Sequence, residues 1–209
     1  MGNREAATLR WTVLVPLKAL PSAKSRLAAT LDPVAHVELV EAIRADTLAA
    51  AAGAPAVARV VVVTDVPGDF DAALTVVQTE PGLNAGLAEA AREIASRWPA
   101  DGIAALVGDL PALRPAELDA ALRAAAAHPR AFVADASGTG TTLLAVTPGT
   151  ALEPRFGLGS AARHAAAATA LAAGESLRAD VDTVAELETA RLLGVGPRSS
   201  EVLARWARL

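Results

Sequence analysis

The chain has 209 residues, no cysteine and a formal net charge of −4 at pH 7, which excludes disulfides and thiolate metal sites and argues against non-specific nucleic-acid binding. Hydrophobic residues make up 53% and aromatics only 3%, so the core must be built from Ala, Val and Leu, which suits helices covering a sheet better than an aromatic-rich β-sandwich. The length supports one domain over 1–209, with a core at about 11–196 and a C-terminal helix at about 197–207, and is short for two.

Arg4, Glu5 and Arg10 precede a short apolar run that ends at Pro16. That is not a signal-peptide pattern, and no later stretch is both long and uncharged enough to span a membrane. The sequence therefore reads as cytoplasmic. "WTVLV" (11–15) is the first strand. After it comes "VPLKALPSAKSRL" (15–27), which holds the chain's only two lysines, Lys18 and Lys24, beside Arg26. Scattered at random over the 19 basic positions, both lysines would fall among these three only about 2% of the time. No acidic residue lies between Glu5 and Asp32. Compact ammonium groups on flexible stems suit a phosphate that moves or leaves during reaction; an inert basic loop is the alternative.

A helix is predicted over 33–52, started by Asp32 and Pro33, followed by strands at 59–64 and 74–78. "PGLNAGLAEA" (81–90) enters a helix over 84–98, with Asn84 as its N-cap or, alternatively, its amide against a base edge. The strand "IAALVG" (103–108) runs into "GDLPAL", which sets Asp109 at the strand tip with Gly108 to allow a sharp turn. Solidly apolar strands predict a mostly parallel sheet covered on both faces, and such sheets bind ligands beyond their carboxyl ends. Asp109 is placed for chemistry there, or else caps the turn before a helix over 115–127.

Strands at 131–134 and 141–146 flank "ADASGTGT", whose Gly138 and Gly140 either offer N–H groups to an anion or form a plain hairpin turn. "RFGLGSAARH" (155–164) leads through Gly157 to Ser160, the expected N-cap of a helix over 160–173, with Arg163 in its first turn; this is a candidate anion seat. In "RADVDT" (178–183), Asp180 and Asp182 fall at period two, on one side of an extended segment, ahead of a Thr183–Glu186 capping box for a helix over 183–193. With Asp109 they offer three hard oxygen ligands for Mg²⁺. The histidines, His36, His128 and His164, are scattered and suggest no zinc site.

In order, "VPLKALPSAKSRLA", "GLNAGLAEA", "GDLPAL", "ADASGTGTTLLA", "RFGLGSAARH" and "ADVDT" resemble the 2-phospho-L-lactate / phosphoenolpyruvate guanylyltransferases of coenzyme F420 biosynthesis, from about Trp11 to Gly196. The resemblance implies a Rossmann-like nucleotidyltransferase fold of the GT-A type. It also implies GTP as donor, Mg²⁺ (one or two ions), and a phosphorylated three-carbon acid as acceptor. Under it, Asp109, Asp180 and Asp182 bind metal, while Thr141, Gly157 and Ser160, with Arg163 nearby, hold the acceptor. Lys18, Lys24 and Arg26 lie on the triphosphate, Lys18 and Lys24 act with Asp109 in catalysis, and Asn84 lies near the nucleoside. A homodimer and hand-off of the product to a downstream transferase are compatible with this family. The Ala- and Arg-rich composition looks like that of GC-rich bacteria, and for members of this family from such bacteria the resemblance implies phosphoenolpyruvate as the acceptor over 2-phospho-L-lactate or 3-phosphoglycerate. The alternatives are a molybdenum-cofactor or sugar-phosphate nucleotidyltransferase of the same fold, which the missing Gly-rich loop after the first strand disfavours, and a non-catalytic nucleotide-binding module, which could dispense with the aspartates.

Overall fold

The computed structural model of the chain describes residues 9–18, 32–66, 68, 70 and 74–207. Its described strands are β1 (Trp11–Pro16), β2 (Val57–Thr64), β3 (Leu74–Val77), β4 (Gly102–Leu106), β5 (Arg130–Ala134), β6 (Thr141–Val146) and β7 (Thr169–Ala170). They form one sheet in the order β3-β2-β1-β4-β6-β5-β7. Every pairing is parallel except those of β6, which runs against both β4 and β5. The helices are α1 (Pro33–Ala52), α2 (Leu83–Arg97), α3 (Pro115–Ala125), α4 (Ser160–Ala165), α5 (Glu175–Arg178), α6 (Val184–Leu193) and α7 (Pro197–Trp206). None is long and apolar enough to cross a membrane.

The unbroken apolar strands are explained by burial on both faces, since successive side chains leave a strand on opposite sides. Val13 and Val15 of β1, Val60 and Val62 of β2, and Ala104 and Leu106 of β4 pack in one cluster with Leu48 of α1 and Leu118 and Leu122 of α3. Their neighbours Leu14, Val61, Val63, Ile103 and Ala105 point the other way, onto Leu87, Ala90 and Ile94 of α2. α1 buries a second side as well: Leu39 and Ile43 pack with Leu187 and Ala190 of α6 and Val202 of α7. A helix buried on two sides needs small residues all round, hence its Ala-rich sequence.

Charge also ties α7 to this layer. Asp46 of α1, 5% exposed, accepts from the backbone N–H groups of Arg198 (3.0 Å) and Ser199 (2.7 Å). The first turn of α7 has no side-chain cap of its own, so a carboxylate from another helix satisfies donors that its geometry leaves over.

The predicted helix over 160–173 is corrected. Only Ser160–Ala165 is helical. Thr169 and Ala170 pair instead with β5, and the Leu171 N–H donates to the Phe132 carbonyl at 2.9 Å. A sheet edge with unsatisfied backbone groups outweighs the helix propensity of an alanine run.

Candidate active site

The order of strands reverses at β1: the chain proceeds from β1 to β2 on one side and reaches β4 on the other. Ligand crevices of open α/β sheets form at such a switch point, beyond the carboxyl ends of the strands. A cleft of about 390 Å³ lies there. Pro16, Leu17 and Lys18 line it from the end of β1, and Val107, Gly108 and Asp109 from the end of β4. Asp182, Leu83 and the α1 residues Val40, Ile43 and Arg44 complete the described wall. This size suits a small-molecule ligand.

The "GDLPAL" loop is fixed by its backbone, so the Asp109 side chain has a defined position. The Asp109 carbonyl accepts from the Val181 N–H at 3.1 Å, and the Pro111 carbonyl from the Gly196 N–H at 2.8 Å. The Leu110 N–H donates to the Thr47 hydroxyl of α1 at 3.0 Å. Leu110, Ala112 and Leu113 are buried and plug the loop into the core. Gly108 is required by close approach: a Cβ there would stand 2.5 Å from Leu17 Cδ2 and 3.3 Å from the Pro16 carbonyl oxygen.

The same Asp109–Val181 hydrogen bond brings "DVDT" to the cleft. Val181 is fully buried, with half-buried Asp180 and exposed Asp182 on either side. The predicted capping box forms: the Thr183 hydroxyl accepts from the Glu186 N–H at 3.3 Å, and Glu186 accepts from the N–H groups of Asp182 and Thr183, each at 2.8 Å. Thr183 therefore does the capping, and Asp182 lines the cleft with Asp109. Among the described residues, no three His, Cys, Asp or Glu side chains stand close enough to hold an ion by themselves. Two carboxylates on one cleft fit Mg²⁺ nonetheless, because that ion is commonly held by one or two carboxylates plus the substrate's phosphates.

Cations face them. Lys18 lines the cleft; Lys24 and Arg26 lie outside the described residues. Sequence reasoning missed Arg44. Its Nη2 donates to the Lys18 carbonyl at 2.7 Å, so it anchors the start of the lysine-bearing segment while lining the cleft. Burial pulls its guanidinium below the ordinary value, against the opposing charges of Glu41 and Asp109. The available signal was Val40, Ile43 and Arg44 at helical spacing, one cation on an otherwise apolar face.

The expected acceptor residues gather one strand over. Because β6 runs antiparallel to β4, its start lies level with the end of β4, and the Val107 N–H donates to the Thr142 carbonyl at 3.0 Å. Thr141 thus shares the sheet edge that carries Asp109. Its hydroxyl accepts from Ser160 Oγ at 3.1 Å and lies 2.9 Å from His164 Nδ1. Ser160 is the first residue of α4, not its cap, which is Gly159 in the left-handed conformation. A helix of six residues has little macrodipole to offer an anion, so any anion seat here is made by side chains and loop backbone.

Loop 155–159 is held from three sides. The Arg155 N–H donates to His164 Nε2 at 2.9 Å. Arg163 donates to the carbonyls of Arg155 (3.0 and 3.2 Å) and Leu158 (2.6 Å), so much of its hydrogen-bonding capacity serves the loop. Asn84 does not cap α2, whose N-cap is Gly82. Its amide instead brackets the Phe156 backbone, accepting from the N–H at 2.8 Å and donating to the carbonyl at 3.1 Å. This leaves one N–H and one lone pair for a ligand. In "ADASGTGT" the hairpin reading holds. Asp135 accepts from the N–H groups of Thr139 (3.0 Å) and Gly140 (2.9 Å) and from the Ser137 hydroxyl (2.9 Å), so those donors are spent on the turn.

His164, 3% exposed, is pulled down from 6.5 to about 4, first by burial and then by the positive charges of Arg163 and Arg155. The sign follows from the depressed value. Between pH 6.5 and 4 the unfolded chain takes up a proton that the folded chain refuses, so stability falls as pH falls through that window. The expected loss is about 2–3 kcal/mol from pH 7 to pH 4.5. Urea unfolding at the two pH values should show a larger drop in the wild type than in His164→Gln. Equal drops would contradict the assignment.

A mixed sheet with an acidic and basic cleft at its switch point is the architecture in which open α/β folds bind small charged ligands. The fold agrees with that of a protein from Desulfovibrio desulfuricans G20, provisionally named a nucleotide-diphospho-sugar transferase. Its TM-score is 0.67 at 18% identity, covering 87% of this chain and 86% of that one. The family is more specific. The chain belongs to the guanylyl transferase CofC-like family, whose sequence model matches residues 11–203. It is 51% identical to the phosphoenolpyruvate guanylyltransferase of Streptomyces coelicolor, over 94% of this chain and 97% of that protein. To that of Streptomyces avermitilis it is 52% identical, over 94% and 95%.

Proposed function

We propose that the chain is a Mg²⁺-dependent guanylyltransferase that joins GTP to phosphoenolpyruvate and releases pyrophosphate, as a step of coenzyme F420 biosynthesis. The observation that carries this reading is the pairing of Asp109 and Asp182 with Lys18 and Arg44 in one switch-point cleft, in a chain about half identical to proteins of that name. An oxygen of the acceptor's phosphate bonds to the α-phosphorus of GTP. The bond from that phosphorus to the bridging oxygen of the β-phosphate breaks, and pyrophosphate leaves with the electron pair.

A phosphate monoester has a second pKa of about 6 and is already largely dianionic at neutral pH, so the nucleophile needs no strong general base. The obstacle is bringing two polyanions together. Two unit charges 4 Å apart repel by about 1 kcal/mol even in bulk water, and by more in a cleft. Mg²⁺, when bound, supplies charge neutralisation at the phosphate oxygens. Asp109 and Asp182, with Asp180 beside them, would hold it. Lys18, Lys24, Arg26 and Arg44 would lie on the leaving group, Asn84 near the nucleoside, and Thr141, Gly157, Ser160 and Arg163 on the acceptor.

The test is pyrophosphate release from GTP and Mg²⁺ with phosphoenolpyruvate, 2-phospho-L-lactate and 3-phosphoglycerate offered separately, and ATP in place of GTP as control. Release is expected with GTP and phosphoenolpyruvate. Release with another acid alone would replace the acceptor. No release with any, even when the downstream transferase is added to draw off product, would overturn the reading.

A further inference from the structure

Three side chains from two elements meet in a continuous chain of hydrogen bonds whose proton positions can be counted. A backbone N–H can only donate, so His164 Nε2, 2.9 Å from the Arg155 nitrogen, carries the lone pair. The neutral ring then has its proton on Nδ1, and that proton points at Thr141 Oγ1, 2.9 Å away. Ser160 donates to the same oxygen at 3.1 Å. A hydroxyl oxygen has two lone pairs, and both are taken. The Thr141 hydrogen is left with the one remaining direction, and no acceptor among the described residues takes it. Ser160, by contrast, has spent its hydrogen on Thr141. All three residues are nearly fully buried, at 6%, 2% and 3% exposure for Thr141, Ser160 and His164, so the arrangement is sheltered from exchange with water.

We infer that His164 is a positioning residue which commits the Thr141 hydroxyl to donating, so that this subsite accepts a ligand oxygen with a free lone pair and refuses a ligand group that must itself donate. Without this constraint a threonine hydroxyl serves either role and discriminates poorly between an oxyanion and a hydroxyl. The inference deepens the proposed function and rests on it in one respect, that Thr141 faces the acceptor acid. Neutrality of the ring agrees with its burial and with the flanking arginines. The Phe156 ring, 5.2 Å from His164 and edge-on to it, and the tilted Phe132 ring at 6.1 Å pack against the imidazole.

The tautomer can be read on the wild-type protein by nitrogen-15 NMR at pH 7, with His164 expected as the Nδ1–H form. The Nε2–H form, or an imidazolium, would overturn the inference whatever the reaction proves to be. Binding of phosphoenolpyruvate, and of inorganic phosphate as a probe, is then measured calorimetrically without GTP. His164→Gln, which keeps an acceptor near Nε2 and loses the donor at Nδ1, should weaken phosphoenolpyruvate binding about tenfold or more, with the KM for GTP unchanged. His164→Asn, which restores a donor near Nδ1, should recover most of it. Thr141→Val should match His164→Gln, and the double variant should be no worse than Thr141→Val alone. Additive losses, or unimpaired binding in His164→Gln, would overturn the inference while leaving the reaction standing. Wild-type protein that binds neither probe would overturn both.

Discussion

Asp109→Asn should lower turnover by about a hundredfold or more while leaving the fold intact. The substitution is nearly isosteric, and the loop is held through backbone groups, the Asp109 carbonyl on the Val181 N–H and the Leu110 N–H on Thr47. What changes is one unit of negative charge on the cleft wall shared with Asp182, where the proposed reaction gathers its cation. Asp182→Asn should behave alike, because its capping duties fall on Thr183 and Glu186. Pyrophosphate release with matched circular dichroism spectra measures both. Near-wild-type turnover in either variant would remove that residue from the site.

Gly108→Ala is the second large effect, and it acts through packing. The new Cβ would press on Leu17, itself 4% exposed, and close on the carbonyl of Pro16. These are the residues that end β1, so the clash pushes apart the two strand ends that make the cleft. Overpacking of this kind costs about 1–3 kcal/mol. Urea unfolding should show that loss together with a lower turnover, since Lys18 follows Leu17 directly. A variant as stable and as active as the wild type would mean that the two strand ends are free to move.

The architecture was legible because strand and helix textures differ so plainly here. "RVVVVT" can bury both faces only inside a covered sheet, and Asp32, Pro33 and the Thr183–Glu186 box mark their helix starts chemically, as observed. The position of Asp109 at a strand end followed from the same reasoning. The failures share a cause: each side chain's partner lies far away in sequence. Asn84 looked like a cap and brackets Phe156, 72 residues on. The alanine run after α4 yields to the edge of β5. Arg44 carried no motif, and the segment that holds His164 did not show its partner; their roles come from what α1 and α4 bring them against. Local sequence reports propensity and caps well, but long-range polar pairing has no periodic signature.

The most direct test of the account is phosphorus-31 NMR of the wild-type protein with GTP, phosphoenolpyruvate and Mg²⁺. The account predicts a new pair of mutually coupled diphosphate resonances, from a guanosine diphosphate linked to the three-carbon acid, appearing in step with free pyrophosphate and absent when Mg²⁺ is withheld. GDP and inorganic phosphate in their place, or unchanged GTP even with the downstream transferase present, would contradict it.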